Sequence, residues 1–309
     1  MSRILVLGGN GQVGFELLGQ LAASGPVTAA TRDGRLPGGV ACARCDLAVE
    51  GEAAALIARE RPAVVINAAA YTAVDRAEDE PELALRVNGL ALAEIGAAAR
   101  AAGAAVIHYS TDYVFPGDAG RPCREDDATG PRSAYGESKL AGEQALAASG
   151  ADHLVLRTAW VYGARGHNFL RTMLRLGAER DELRVVDDQH GAPTPAALIA
   201  AATVRLVDAW ATGDREARAA RSGVYHLASA GDTTWCRFAR AILERAAAAG
   251  LLSRAPQVTA IASHAFPARA VRPAYSVLDT ARLRATFGID LPGWEAGLDR
   301  VVSELAARP

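Results

Sequence analysis

The 309-residue sequence predicts an α/β fold of the Rossmann type, a doubly wound parallel sheet with helices on both faces. Short apolar segments rich in β-branched residues alternate with longer segments of helical periodicity, which is the pattern of repeated β–α–β units. Glycines follow the first apolar segment directly, as they do where a parallel strand turns into a helix. Half of the residues are hydrophobic, so the chain can bury a large core.

The predicted elements change in character near the middle of the chain. The first half contains strands over 4–7, 27–31, 63–67, 105–110 and 153–158, and helices over 12–23, 52–61, 82–102 and 133–148. The second half contains helices over 196–211 and 233–249, a strand over 224–227 and a polar surface connection over 212–221. The proline-containing segment over 254–275 is expected to be irregular or edge structure. We therefore expect a dinucleotide-binding domain over 1–158 and a smaller C-terminal substrate-binding lobe over 159–309, partly interleaved with the first.

Charge and cysteine content exclude several classes of protein. The net charge of −2 gives no electrostatic reason to expect a nucleic acid or an anionic membrane as a partner, and no apolar segment has the length of a transmembrane helix. Four cysteines are present, of which Cys42 and Cys45 form a C-x-x-C pair. Because no second pair and no nearby histidine completes a metal site, we interpret them as incidental thiols of a cytoplasmic protein.

A glycine cluster follows the first predicted strand and opens the first helix. Gly8, Gly11 and Gly14 form G-x-x-G-x-x-G, and Gln12 and Val13 stand between the last two glycines. Glycines permit the tight turn and let a pyrophosphate approach the backbone and the helix N-terminus. At the first strand of a β–α–β chain, this pattern predicts a site for a dinucleotide cofactor.

The end of the second predicted strand bears on the choice between NADPH and NADH. An acidic residue there would bind the ribose 2′-hydroxyl, but the chain has Arg32, which suits a 2′-phosphate. We therefore expect NADPH, with NADH possible as a second cofactor. Asp46 and Leu47 follow the next strand-like segment and are expected near the adenine. Residues 67–70 are expected to pass their small side chains under the nicotinamide ribose.

Tyr135 and Lys139 form a Y-x-x-x-K pair on a predicted helix. Residues four positions apart lie on one helix face, so the hydroxyl and the ammonium can enter one site. A nearby ammonium lowers the pKa of a tyrosine, which otherwise lies near 10, and lysine can also bind ribose hydroxyls. Lys139 is the only lysine among 33 basic residues, so its position four residues after a tyrosine is hard to attribute to chance. The pair predicts proton transfer to a carbonyl oxygen as hydride arrives at the carbon.

Polar residues end the fourth predicted strand. Open α/β sheets bind ligands at the carboxyl ends of their strands, so Ser110 or Thr111 can hydrogen-bond and orient a substrate carbonyl. Hydroxyl residues also cap strand ends in many proteins without a catalytic role. The Y-x-x-x-K pair that begins at Tyr135 favours the catalytic interpretation.

Seven segments together resemble one known family. They are Gly8–Gly14, Asn67–Asp75, Ser110–Gly117, Tyr135 with Lys139, Arg157–Gly163, Asp188–Thr194, and Arg272-Pro273 with Ser276. From Ile4 to about Glu304 the chain resembles the dTDP-4-dehydrorhamnose reductases, which are extended short-chain dehydrogenases. The resemblance implies reduction of the 4-keto group of dTDP-4-dehydro-L-rhamnose to dTDP-L-rhamnose with NADPH or NADH.

The resemblance also implies a role for individual residues. Tyr135 would be the proton donor, Lys139 its electrostatic partner and ribose ligand, and Thr111 the third catalytic residue. Thr111, Asp112 and Trp160 would contact the sugar nucleotide. The residues implied at the cofactor are Gly11, Gln12, Val13, Asp46, Leu47, Ala70, Tyr71 and Thr72.

The chain departs from the family at one acidic position. Some members are dimers that hold Mg²⁺ between acidic residues of both subunits, and Glu16 and Glu304 match two such positions. A further glutamate aligns with Ala197, which cannot bind Mg²⁺. We therefore expect no metal, and either a monomer or a homodimer.

Two other functions remain open from the sequence. A nucleotide-sugar 4-epimerase would share the same motifs but would hold and regenerate NAD, whereas Arg32 favours a reductase that consumes NADPH. A 4,6-dehydratase typically has Asp-Glu after the catalytic threonine, and here Asp112-Tyr113 argues against it. A non-catalytic regulatory subunit resembling the methionine adenosyltransferase β subunit would tolerate Thr111, Tyr135 and Lys139 but would not need them.

Overall fold

A computed structural model describes residues 3–308 of the chain. The strands are β1 (Ile4–Leu7), β2 (Val27–Thr31), β3 (Ala43–Arg44), β4 (Val64–Asn67), β5 (Ala105–Thr111), β6 (His153–Thr158), β7 (Val161–Tyr162), β8 (Glu182–Val186), β9 (His190–Gly191), β10 (Thr194–Pro195), β11 (Gly223–His226), β12 (Thr233–Thr234) and β13 (Gln257–Ile261). The helices are α1 (Gln12–Leu21), α2 (Glu52–Glu60), α3 (Val74–Ala77), α4 (Pro81–Leu85), α5 (Ala91–Ala102), α6 (Ala134–Ala148), α7 (Phe169–Glu179), α8 (Ala196–Leu206), α9 (Arg215–Ala220), α10 (Trp235–Ala248), α11 (Ala281–Phe287) and α12 (Trp294–Ala306).

Seven parallel strands form the central sheet, in the order β11-β6-β5-β4-β1-β2-β3. Leu7, at the end of β1, pairs with Ala30 of β2 on one side and with Asn67 of β4 on the other. The strand order therefore reverses between β1 and β4, which is the point where sheets of this kind bind ligands beyond the carboxyl ends of their strands. The predicted Rossmann-type α/β fold is confirmed.

Two hydrophobic cores lie on opposite faces of this sheet. Ile4 and Val6 belong to the core under α1 and α8, whereas Leu5 and Leu7 belong to the core under α2 and α5. Successive side chains of a strand point to opposite faces, so a strand covered on both sides is apolar throughout. This accounts for the continuous apolar segments that predicted the strands.

A separate core forms in the second half of the chain. Helices α7, α10 and α12 pack around it, and its buried side chains include Leu170, Phe238, Ile242 and Leu298. The second half also returns to the main sheet, because Gly223–His226 pairs with β6 and forms its outer strand. The domain boundary at residue 158 stays a prediction.

Several element predictions need correction. The predicted helix over 82–102 is divided, because a π-helical turn over Arg86–Leu90 separates α4 from α5. The segment 254–275, expected to be irregular or edge structure, contains an edge strand, because β13 pairs in parallel with β8 in a two-stranded sheet. The polar connection 212–221 contains the short helix α9. Helices α7 and α12 and strand β8 were not predicted, although each has buried apolar residues at regular spacing.

The structure also bears on two expectations drawn from composition. Within residues 3–308, every helix is too short or too polar to cross a lipid bilayer. Cys42, Cys45, Cys123 and Cys236 are all free thiols, so the C-x-x-C pair forms no disulfide.

Candidate active site

The glycine cluster forms a tight turn between β1 and α1. Gly8 has a positive φ of 81°, and a Cβ there would lie 2.6 Å from the backbone nitrogen of Ala69. A Cβ on Gly14 would overlap the carbonyl oxygen of Gly8, so both positions require glycine. Gly11 is the N-cap of α1, and none of the described side chains caps that helix end. The first turn of α1 therefore leaves the backbone N–H groups of Gln12, Val13 and Gly14 available for a phosphate, whereas those of Gly8 and Gly11 donate to the carbonyl oxygens of Ala30 and Gly8.

Gln12 also connects this turn to the second half of the chain. Its side-chain oxygen accepts a hydrogen bond of 2.9 Å from the amide of Asn168, the residue that caps α7. The same amide of Asn168 donates to the carbonyl oxygens of Gly163 and Arg165. The start of the cofactor cradle and the segment after β6 are thereby held together.

Arg32, Asp46 and Leu47 lie beyond the ends of β2 and β3, on the same edge of the sheet. Arg32 is exposed, and the turn that follows β2 is held by a 2.9 Å hydrogen bond from Thr31 to Asp33. Leu47 is buried, and its carbonyl oxygen accepts a hydrogen bond of 3.2 Å from Arg86. This edge therefore presents an exposed guanidinium beside a hydrogen-bonded backbone, which fits the adenosine end of a dinucleotide.

Asn88 holds the segment of Ala70, Tyr71 and Thr72 in place. Its side-chain oxygen accepts a 2.9 Å hydrogen bond from the backbone N–H of Tyr71, and its amide donates to the Tyr71 carbonyl and to Ser138. Asn88 lies in the π-helical turn that divides α4 from α5. It thus joins the segment after β4 to α6, the helix that carries Tyr135. Sequence reasoning did not identify this residue.

Thr111 and Tyr135 meet at the carboxyl end of β5. Thr111 is the last residue of that strand, and Ser133 caps α6, so that Tyr135 lies in the first turn of the helix. Burial raises the pKa of Tyr135 to about 12, although its hydrogen bond with Thr111 opposes the increase. At neutral pH this tyrosine keeps its proton and can donate it.

Lys139 is 1% exposed and makes its contacts on the side of β5. Its Nζ donates to the carbonyl oxygen of Tyr109 at 2.6 Å and lies 3.1 Å from Nε2 of His108. Burial lowers the pKa of Lys139 to about 8, while the charge of Glu143 opposes this decrease. The expected lowering of the tyrosine pKa is not found in this geometry, because burial of the Tyr135 phenol outweighs any effect of the lysine.

Asp112 and Trp160 follow the neighbouring strands β5 and β6, at their carboxyl ends. Asp112 is 2% exposed, and burial raises the pKa of its carboxyl group to about 6. Its Oδ2 has no hydrogen-bond partner among the described side chains and backbone. Trp160 has a positive φ of 48° and stacks on Trp235, with ring centroids 3.5 Å apart. Gly191 packs against this indole so closely that a Cβ would overlap it.

A bidentate ion pair joins Asp75, in the segment after β4, to Arg272 near the C-terminal end of the chain. Arg272 donates to both carboxylate oxygens of Asp75, at 3.0 and 2.6 Å. These hydrogen bonds lower the pKa of Asp75 to about 2, and backbone N–H groups of Arg269 and Ala270 add to the effect. The segment after β4 is thus tied to the segment around residue 272, which sequence reasoning had noted only as part of the family pattern.

The acidic residues considered for a metal lie together on the surface of α1 and α12. Burial and the charge of Glu304 raise the pKa of Glu16, whereas Arg165 and Arg308 oppose the increase. The backbone oxygen of Ala197 accepts a hydrogen bond from Gln20. Within residues 3–308, no three or more His, Cys, Asp or Glu side chains are grouped to hold a metal ion. The absence of a metal stays a prediction.

An open parallel sheet with a glycine turn at its switch point, and a tyrosine and a lysine on the helix that follows β5, defines a nicotinamide-dependent oxidoreductase of the short-chain dehydrogenase class. The sequence matches the family described as the RmlD substrate binding domain over residues 1–307. It is 45% identical to a dTDP-4-dehydrorhamnose reductase of Burkholderia thailandensis, over 99% of this chain and 100% of that protein. The chain belongs to the family of dTDP-4-dehydrorhamnose reductases.

Solved structures agree with this assignment. The dTDP-4-dehydrorhamnose reductase of Bacillus anthracis, solved in complex with NADP, is 32% identical and superposes with a TM-score of 0.86, over 98% of this chain and 99% of that chain. The UDP-glucose 4-epimerase of Thermus thermophilus, solved with NAD, superposes with a TM-score of 0.80 at 22% identity, over 99% and 100% of the two chains. The second likeness concerns the fold alone.

Proposed function

We propose that this protein reduces the 4-keto group of dTDP-4-dehydro-L-rhamnose to dTDP-L-rhamnose, with NADPH as the reductant, in dTDP-rhamnose biosynthesis. The observation that carries the proposal is the placement of Thr111, Tyr135 and Lys139 at the carboxyl edge of the sheet, beside the glycine turn. The reductases of this family that match over nearly the whole chain support the same substrate.

The cofactor site follows from the fit of the backbone to a pyrophosphate. Gly8 and Gly14 are positions that a Cβ would fill, and the N-terminus of α1 offers unpaired N–H groups. The exposed Arg32 would pair with the 2′-phosphate, and Asp46 and Leu47 would line the adenosine. Ala70, Tyr71 and Thr72, held by Asn88, would lie along the nicotinamide half. The Bacillus anthracis relative with NADP supports this choice, with NADH as a weaker alternative.

The reaction needs one hydride and one proton at the keto group. The nicotinamide supplies the hydride to the carbonyl carbon, and the hydroxyl of Tyr135 donates its proton to the carbonyl oxygen, which becomes the product hydroxyl. Burial keeps this phenol protonated at neutral pH, as the reduction requires. Thr111 would orient the carbonyl oxygen by a hydrogen bond. Lys139 would bind the nicotinamide ribose hydroxyls and stabilise the phenolate that forms.

Asp112 and Trp160 would contact the sugar nucleotide. Asp112 has an unpaired, buried carboxylate oxygen that can accept a hydrogen bond from a sugar hydroxyl. Trp160 is held by its stacking on Trp235 in a backbone conformation that few non-glycine residues adopt. Such strain persists only where the surroundings enforce it, and it is concentrated at functional sites.

The partners and compartment follow the same interpretation. The free thiols suit a cytoplasmic protein, as the sequence predicts. We propose a monomer or a homodimer, with a dTDP-sugar as the ligand and without a nucleic acid or membrane partner.

The test is NADPH absorbance with dTDP-4-dehydro-L-rhamnose, comparing the wild type with Tyr135→Phe. We expect the wild type to oxidise NADPH and the variant to lose about 10²- to 10⁴-fold in kcat, as removal of a general acid does. Full activity of Tyr135→Phe would contradict the assigned proton donor. An inactive wild type that retains bound NAD and interconverts two UDP- or dTDP-sugars would favour the 4-epimerase. An inactive wild type that copurifies with a synthetase would favour the regulatory subunit.

A further inference from the structure

A buried chain of hydrogen bonds runs from the segment after β4 to Lys139. The backbone N–H of Ala69 donates to Oδ1 of Asn67 at 3.1 Å, and Nδ2 of Asn67 lies 3.1 Å from Nδ1 of His108. Nε2 of His108 lies 3.1 Å from the Lys139 nitrogen. Asn67 and His108 are fully buried, so no water can substitute for these partners. This series of hydrogen bonds ends at Lys139, the proposed ribose ligand. The proposed reduction gives no role to Asn67 or His108.

The direction of these hydrogen bonds determines which nitrogen of His108 carries the proton. Because Oδ1 of Asn67 accepts from Ala69, the amide nitrogen of Asn67 must be the group that faces His108. An amide N–H can only donate, so Nδ1 of His108 is the acceptor. Burial holds the pKa of His108 well below its usual value and the nearby Lys139 adds to this effect, although a hydrogen bond with the Asn67 backbone opposes it. The ring is therefore neutral, and its one proton is on Nε2.

The Nε2–H of His108 points at the nitrogen of Lys139. An ammonium has only donors, so two donors would face each other if Lys139 were charged. A neutral amine instead accepts from Nε2–H with its lone pair and still donates to the Tyr109 carbonyl. The arrangement of Asn67 and His108 thus favours the uncharged form of Lys139.

The charged groups around Lys139 do not reverse this preference. Glu143, one turn further along α6, favours the ammonium, but it is bound to Arg157 at 2.6 Å. Asn67 and the Tyr109 carbonyl are the groups that face the site from β4 and β5. Towards the strand ends lie Tyr135, which is protonated at neutral pH, and Asp112. Burial is the largest influence, and it too favours the neutral amine.

We propose that His108, oriented by Asn67, stabilises the neutral amine of Lys139, so that cofactor binding is accompanied by uptake of a proton at this lysine. Two ribose hydroxyls would accept two hydrogens of the ammonium, and the Tyr109 carbonyl would accept the third. The negative phosphates of the cofactor further favour the charged form. The inference rests on the proposed cofactor role of Lys139 and assigns His108 as a positioning residue.

The decisive experiment measures proton uptake during NADPH binding by calorimetry in buffers of different ionisation enthalpy. The matched control is Lys139→Met, which removes the titrating group and leaves the 2′-phosphate contribution to be subtracted. The quantity of interest is the proton uptake of the wild type minus that of Lys139→Met. We expect this difference to be near zero at about pH 6.5 and to approach one proton at about pH 9. Equal proton uptake by the two proteins at about pH 9 would overturn the inference. Failure of the wild type to bind NADPH would instead overturn the proposed function.

A second measurement does not depend on any variant folding. Nitrogen spectra of the ¹⁵N-histidine-labelled protein should show His108 neutral, with its proton on Nε2. A proton on Nδ1, donated to the backbone carbonyl of Asn67, would overturn the inference.

His108→Leu should move the proton uptake to higher pH, because the amine loses a donor that favours its neutral form. A move to lower pH would show that His108 accepts from an ammonium and would equally overturn it.

Discussion

Two buried polar centres lie one turn apart on α6, and they differ in how their charge is compensated. Glu143 binds Arg157 of β6 at 2.6 Å and accepts a 2.5 Å hydrogen bond from Ser110. Lys139 lies against the neutral ring of His108 and the Tyr109 carbonyl, without a carboxylate in contact. A buried charge with an opposite partner is stable but costly to break, whereas a buried amine without one can change its protonation near neutral pH. The comparison indicates that Glu143 anchors the helix, and it supports the proposed role of Lys139 at the cofactor.

The largest effect on stability is expected at the compensated centre. Glu143→Gln leaves Arg157 buried without a counter-charge, and breaking such a pair costs about 3–5 kcal/mol in the free energy of unfolding. Urea denaturation followed by circular dichroism measures this loss. Glu179→Gln is the matched control, because the Arg175–Glu179 pair is exposed and such pairs contribute about 0.5 kcal/mol. A loss below about 1 kcal/mol for Glu143→Gln would remove the distinction between the two centres.

Asp112 extends the comparison to a buried carboxyl group without a counter-charge. Its pKa is about 6 in the folded protein, above the usual value near 4, so the unfolded chain releases the proton first as pH rises. The folded state is therefore penalised above about pH 6, by up to about 3 kcal/mol, and not below about pH 4. Asp112→Asn should raise the free energy of unfolding at pH 8 and leave it nearly unchanged at pH 4.

Denaturation at the two pH values measures this difference, with the exposed Asp118→Asn as the control. The same Asp112→Asn variant should have a higher KM for the dTDP-sugar if Asp112 contacts the substrate. A variant that is less stable than the wild type at pH 8 would show that Asp112 has a counter-charge.

The smallest effect is expected at Arg32, an exposed charge that we propose contacts only the cofactor. Arg32→Ala should weaken NADPH binding about tenfold, about 1.4 kcal/mol, and leave NADH binding unchanged. Arg215→Ala removes an equally exposed arginine beside the opposite edge of the sheet and should change neither affinity. Fluorescence titration with each cofactor measures the ratio of NADPH affinity to NADH affinity. An unchanged NADPH-to-NADH ratio in Arg32→Ala would mean that another group selects the cofactor.

Features that depend on local spacing could be predicted. The strands β1, β2, β4, β5 and β6 were predicted because strands covered on both faces are apolar throughout. Tyr135 and Lys139 were predicted because four residues make one turn of helix, and Ser133 then starts that helix where expected. The glycine cradle was predicted because only glycine tolerates the turn at Gly8 and the contact at Gly14.

Features that depend on distant partners could not be predicted. Asn67 and His108 are 41 positions apart, and His108 and Lys139 are 31 positions apart. A polar residue inside the apolar strand β5 was a signal that could have marked His108. Strands β8 and β13 were missed because their pairing joins two short segments from different parts of the second half.

The sequence by itself determined the fold class and the family, and it predicted the residue types of the proposed cofactor and proton-transfer site. These depend on periodicity and on short motifs, which a linear chain displays directly. Only the tertiary structure decided how Lys139 is surrounded, because its burial and its neighbours come from strands β4 and β5. Burial and hydrogen-bond direction set the protonation of an amine, and both are properties of the folded chain rather than of residue order.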